Sequence, residues 1–276
     1  MSTVVAGFGV PHTPAFPALV KHERGPWREV AELYDAVAER IADARLDALV
    51  VFSSDHFNTF FLDCFPTFAI GVANETSGPN DSIPDLPQGT IPVHRELAWR
   101  IFETAIALGF DLTLCEEFEL DHTFAVPLHF LLDAPLPIVP VFINSFVAPQ
   151  PSAQRAFALG RAVRTAIERE GDLRVGVLAS GSFSLEVGGP RSSDTDIWGV
   201  PDPDWAARAT DLLADGDVEG LIRESTPAQI AAAGNAAAEV LDWIAMLGAT
   251  GAREPVFIEL QPAMGHAYGA WPLDSD

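Results

Sequence analysis

Cysteine is almost missing from this 276-residue chain, basic residues are scarce, and no long apolar run occurs. The two cysteines, Cys64 and Cys115, lie in the apolar contexts LDCFPTF and LTLCEEF. That context reads as reduced, buried thiols and sets aside a disulfide framework or thiolate chemistry. Sixteen basic residues against 39 acidic ones give a formal charge of −23, with no basic cluster to interrupt it. A nucleic-acid backbone would be repelled. No stretch approaches the roughly 18 uninterrupted apolar residues that cross a bilayer. The opening MSTVVAGFGVPHTP has neither a basic leader nor a small-residue cleavage site, so a cytoplasmic protein without membrane contact is expected.

What is present is the material of a packed globule, with 48% hydrophobic residues and enough length for one large domain. Short β-rich apolar runs read as strands at Thr3–Val10, Ala48–Ser53, Thr67–Val72, Ile138–Phe142, Val175–Ala179 and Pro255–Leu260. Between them, Trp27–Arg45 carries the helical spacing of Val30, Leu33, Tyr34, Val37 and Ile41, and His94–Leu108, Ala153–Glu170, Trp205–Ala214 and Asn235–Leu247 repeat it. The alternation predicts an α/β fold, a single domain over 1–276 with a central mixed sheet covered by helices. Two segments rich in Pro, Gly, Ser, Asp and Asn, Asn74–Thr90 and Gly188–Pro203, read as long loops and candidate walls or lids of a site.

His12 follows the first strand in GVPHTPAFP and His56 follows the second in VVFSSDHFNTF, the strand ends where α/β folds place their sites. Two histidines so placed can converge on a metal, although each could equally cap its turn. A metal held by two neutral imidazoles calls for a negative oxygen ligand, and Glu239 is the best candidate. Helical geometry sets it within the apolar arc of Val240, Trp243, Ile244, Met246 and Leu247, with Asp242 directed outward. A carboxylate on a buried face needs a partner, unless it lies at the arc's edge and reaches water. His122 stands in FELDHTFAVPLHFL, as a catalytic, capping or core histidine, and His129 is spaced like a packed helical residue. His22 and His94 fall in polar segments and receive no role.

Together GVPHTPA, SSDHFNTFF, PTFAIG, DHTFAVPL, PVFIN, SGSFS with its following GP, and GNAAAEVLDW resemble the class III extradiol ring-cleavage dioxygenases. This family includes the protocatechuate 4,5-dioxygenase beta subunit and the dihydroxyphenylpropionate dioxygenases. The likeness runs in order along nearly the whole chain. It implies Fe(II) held by His12, His56 and Glu239, a small aromatic diol chelating beside O2, and His122 as an acid–base group. It also implies a homo-oligomer or a small helical partner subunit covering the cleft. One departure stands out. The family's Gly-Gly-Met/Leu-Ser-His pattern ends here in Leu185, after Gly181-Ser182-Phe183-Ser184, and leucine moves no proton. Either His122 suffices, another group substitutes, or the reaction is no longer ring cleavage.

In QPAMGHAYGAW, Met264 and Gly265 replace the polar pair with which the family holds a substrate carboxylate, which the resemblance reads as a substrate that lacks that carboxylate or presents something bulkier and less charged there. Ser184, Leu185, Met264 and Gly265 are therefore candidate substrate contacts. His266 and Tyr268 could supply the absent proton donor or merely line the pocket. Two other readings remain open: a non-oxidative metalloenzyme (hydrolase, lyase or decarboxylase) on the same metal face, with zinc or manganese in place of iron, and a non-catalytic subunit of a hetero-oligomeric dioxygenase.

Overall fold

The computed structural model describes residues 1–169, 171–192, 198–251 and 253–273. Its centre is an eight-stranded mixed sheet. In spatial order the strands are Phe257–Gln261, His266–Pro272, Thr3–Val10, Arg174–Ser180, Ala48–Ser53, Ile138–Ile143, Phe68–Gly71 and Thr113–Cys115. The four from Thr3–Val10 to Ile138–Ile143 run parallel. Antiparallel neighbours flank them, His266–Pro272 on one side and Phe68–Gly71 on the other. Ala48–Ser53 and Ile138–Ile143 are buried along their whole length, as strands of a sheet covered on both faces must be, which explains their uninterrupted apolar sequence.

One face carries the helices Arg95–Ala107, Ala153–Arg169 and Val240–Thr250, whose apolar side chains join those of the sheet in one core. The other carries Phe16–Lys21, Trp27–Ala44 and His122–Leu131 around a second core. Trp27–Ala44 buries Val30, Tyr34, Val37 and Ile41, the helical stripe anticipated from spacing. In the described residues, no helix is long and apolar enough to cross a membrane.

Several expectations need correction. Asn74–Thr90 is not wholly loop, because Glu75–Gly78 pairs with Gly89–Pro92 as a small antiparallel ribbon. Asn235–Leu247 is not one helix: a tight turn at Ala237–Glu239 precedes a helix over Val240–Thr250. Every residue of that helix is buried, since it lies between the sheet and Ala153–Arg169. It has no outer face, so Asp242, expected to point outward, is fully buried. Cys64 is exposed rather than buried. His129 sits on the exposed side of its helix. Within the second expected loop, residues 193–197 lie outside the described residues, as does Glu170 at the end of the Ala153–Glu170 expectation.

The buried helix approaches the first strand closely because Gly9 offers no side chain. A Cβ there would stand 2.2 Å from the Trp243 ring. That ring is fixed in turn by its indole N–H, which donates to the Gly181 carbonyl at 3.1 Å. Replacing Gly9 with alanine is expected to destabilise the fold by about 1–3 kcal/mol, the usual cost of overpacking a close-fitting core, and to lower metal uptake with it. Urea unfolding and metal titration of the variant check this, and wild-type stability would contradict it.

Candidate metal centre

The parallel strands all present their carboxyl ends to one edge of the molecule. His12 follows Thr3–Val10, Ser180 ends Arg174–Ser180, His56 follows Ala48–Ser53, and Phe146 follows Ile138–Ile143. The structure brings the three proposed ligands together. Nε2 of His12 and Nε2 of His56 each lie 3.1 Å from the same Glu239 oxygen, Oε1. Glu239 is completely buried and His12 nearly so. His122 joins them, with one ring nitrogen each from His12, His56 and His122 mutually within 4.8 Å.

Hydrogen bonding places a proton on Nδ1 of His12. The Ser180 hydroxyl donates to the Thr123 carbonyl at 2.7 Å, so at 2.9 Å it accepts from His12 Nδ1–H. In the neutral ring Nε2 is then the unprotonated nitrogen, and it is aimed at a carboxylate oxygen. Two such atoms this close in a dry site need a cation between them, a proton on the ring or a metal ion. Burial acts to raise the Glu239 pKa, but His12 and His56 outweigh it and hold the group well below the usual carboxylate range. Its second oxygen accepts from Ser182 N–H at 2.7 Å. A Cβ on Gly181 would come within 2.4 Å of the Glu239 Cβ, which explains the glycine at the strand end. Two imidazoles and one carboxylate form a donor set that suits a divalent first-row metal.

The His56 loop is held by two buried carboxylates. Asp55 accepts from the backbone N–H of Asn58, Thr59 and Phe60 at 3.2, 2.9 and 3.0 Å. Burial, with Asp121 close by, nonetheless raises the Asp55 pKa. Asp121 accepts from His56 N–H at 2.8 Å and caps the His122 helix through Thr123 N–H at 3.1 Å. Burial pushes its pKa up, but His122 and His56 hold it low. His122 is gripped by Asp81, whose Oδ1 accepts from the His122 backbone N–H at 3.0 Å and whose Oδ2 bonds Nδ1. The Phe146 ring lies edge-on to His56, 4.3 Å between centroids.

The other expected residues stand further back. His266 is buried, its Nε2 is 2.8 Å from Gln261 Oε1, and burial lowers its pKa to about 3. It is a neutral imidazole that gives its one ring N–H to Gln261. The buried Tyr268 hydroxyl has no hydrogen-bond partner among the described residues, and burial raises its pKa. Ser184 is committed internally: its hydroxyl donates to Ala233 O at 3.0 Å and accepts from Asp202 N–H at 2.9 Å. The Gly265 carbonyl accepts from Phe183 and Ser184 N–H, and Met264 packs into the second core. Leu185 is half-buried, and its carbonyl accepts from Ala236 N–H at 3.0 Å. Ser180, Asp81, Asp121 and Phe146 were missed by sequence reasoning. Asp121 alone had a local signal, as an acidic residue opening an apolar helix.

Comparison with known proteins shows the family. Residues 6–266 match the family described as the catalytic LigB subunit of aromatic ring-opening dioxygenase, and the chain belongs to that family. A 2,3-dihydroxyphenylpropionate/2,3-dihydroxicinnamic acid 1,2-dioxygenase of Klebsiella pneumoniae is 34% identical over 187 residues, 67% of this chain and 58% of that protein. The chain thus matches a little over half the length of that relative. A protein of the same name from Paraburkholderia xenovorans is 30% identical over 268 residues, 82% of this chain and 83% of its own length. An uncharacterized Escherichia coli K12 protein shares the fold, with a TM-score of 0.56, 17% identity, and coverage of 96% of this chain and 99% of its own.

Asp242 offers a test of the electrostatics here. Both its carboxylate oxygens lack a hydrogen-bond partner among the described residues, and burial together with the nearby Glu239 raises its pKa well above the ordinary value. A folded-state pKa above the unfolded one means that the folded protein keeps a proton the unfolded chain releases. Stability is therefore lost as pH rises from about 4, the unfolded value, toward the folded pKa. In the metal-free protein, Asp242→Asn is expected to raise Tm at pH 7, with the gain shrinking toward pH 4. Thermal melts across that range check it, and parallel curves for the two proteins would contradict it.

Proposed function

We propose that this chain is an Fe(II)-dependent extradiol dioxygenase that opens a catechol-type ring with O2, both oxygen atoms entering the product. The observation that carries the reading is the convergence of His12 Nε2, His56 Nε2 and Glu239 Oε1 at 3.1 Å separations, with the Nδ1 proton of His12 taken by Ser180. Family membership supports the class of reaction, and the relatives named for dihydroxyphenylpropionate support a diol substrate. His12, His56 and Glu239 would hold the metal. When bound, Fe(II) supplies a Lewis acid that lowers the pKa of a chelated hydroxyl and passes electron density from ring to oxygen.

The chain's own residues supply the rest. Glu239 and the tautomer of His12 keep a dry, negatively polarised seat, and Phe146 lays an apolar edge against His56 where an aromatic ring fits. His122 is the group that takes a proton from the substrate hydroxyl and returns one to the developing product. Leu185 stands where the resemblance leads one to expect a second acid–base histidine, and His266, neutral and bonded to Gln261, has no second proton to donate. His122 therefore carries the proton traffic alone, which suits a diol that is already acidic.

A second reading follows from the three histidine nitrogens within 4.8 Å, a set that also suits zinc and hydrolytic or lyase chemistry. One experiment separates the two. Protein reconstituted anaerobically with Fe(II), then given catechol and O2, should form a yellow ring-opened product with one O2 consumed per turnover, and His122→Gln should lower kcat about 10²–10⁴-fold. Zinc-supported turnover without O2 consumption would overturn the dioxygenase reading.

A further inference from the structure

His122 does not stand alone. The residue that grips it comes from the Pro-rich segment linking the two strands of the small ribbon, outside the family-like motifs. Asp81 spans His122 at two points: Oδ1 accepts from the backbone N–H at 3.0 Å and Oδ2 meets ring Nδ1. The backbone beside Asp81 is itself pinned. Asn80 N–H donates to Leu120 O at 2.9 Å, and the Asn80 amide donates to Asn58 O at 3.1 Å. The segment is thus tied to the stretch leading into His122 and to the His56 loop at once. The pair is largely shielded, with side-chain exposures of 19% for Asp81 and 9% for His122.

We infer that Asp81 is the positioning residue for His122, holding the ring proton on Nδ1 and turning Nε2, as a lone-pair acceptor, toward the metal edge. A free neutral imidazole exchanges between two tautomers and rotates. A carboxylate on one nitrogen removes both freedoms, which is how a buried acid makes a neighbouring histidine an effective base. Asp121, although adjacent in sequence, cannot play this part, because its oxygens are taken by His56 N–H, Asn58 and Thr123. The chain therefore places two aspartates at the site with separate duties: Asp121 shapes the backbone and Asp81 sets the ring.

This inference rests on the acid–base role proposed for His122, so its test has one arm that does not require turnover. In the metal-free full chain, two-bond proton–nitrogen correlation spectra of the His122 ring should show the proton on Nδ1. Asp81→Ala should shift the ring toward the Nε2–H form, and Asp81→Asn, which keeps an acceptor oxygen, should fall between. In the iron-loaded enzyme with catechol, Asp81→Ala should lower kcat about 10- to 100-fold with KM and iron content unchanged. Added to His122→Gln, it should cost nothing more. A wild-type ring protonated on Nε2, or an Asp81→Ala loss of equal size in the His122→Gln background, would overturn the assignment. Absence of turnover in the wild-type enzyme would defeat the dioxygenase reading, and the spectra would still decide the role of Asp81.

Discussion

A single buried carboxylate oxygen facing two imidazole nitrogens organises this protein. Glu239 is fully buried, and its Oε1 has no backbone donor among the described residues. Its close neighbours are His12 Nε2 and His56 Nε2. Ser180 takes the Nδ1 proton of His12 on the far side of the ring, so Nε2 and the carboxylate share a cation between them, a ring proton or a metal ion. A buried acid so placed would be a serious cost to folding if it had only a structural role. The surrounding structure reads as the means of holding that arrangement in place.

Those means are ordinary elements used at close quarters. Four parallel strands end together, and the turns after them carry His12, His56, Phe146 and the Ser180–Ser182 edge. The helix at Val240–Thr250 brings Glu239 up to that edge from beneath the sheet, its approach permitted where Gly9 meets Trp243 and Gly181 meets Glu239. On the opposite face, Asp121 caps the helix that begins with His122 and at the same time ties down the His56 loop. Phe57, next to His56, keeps a left-handed backbone (φ 60°) and is 39% exposed, a conformation that costs a bulky residue energy. The N–H groups gathered by Asp55 just beyond it hold that turn.

Much of this was legible in the sequence because it rests on periodicity and on strand ends. Thr3–Val10 and Ala48–Ser53 were found to the residue, since a strand buried on both faces is an apolar run bounded by turn residues. His12 and His56 followed from their places after those strands. What escaped depends on contacts that leave no local spacing. Ser180 is one more polar residue at a strand end, and Asp81 is one acid in a loop full of polar residues. Within QPAMGHAYGAW, read for its substrate contacts, the strand His266–Pro272 beside Thr3–Val10 went unseen, because glycines and polar residues hide it. Asp242 was placed outward by a helical wheel that assumes one solvent face, and a helix covered on every side has none.

The space bounded by His12 Nε2, His56 Nε2 and Glu239 Oε1 is proposed as a divalent-metal seat that takes Fe(II). Anomalous diffraction at the iron edge, from crystals grown without oxygen in the presence of Fe(II), tests this most directly. One strong peak is expected within coordination distance of those three atoms. A peak elsewhere, or none at that position, would contradict it.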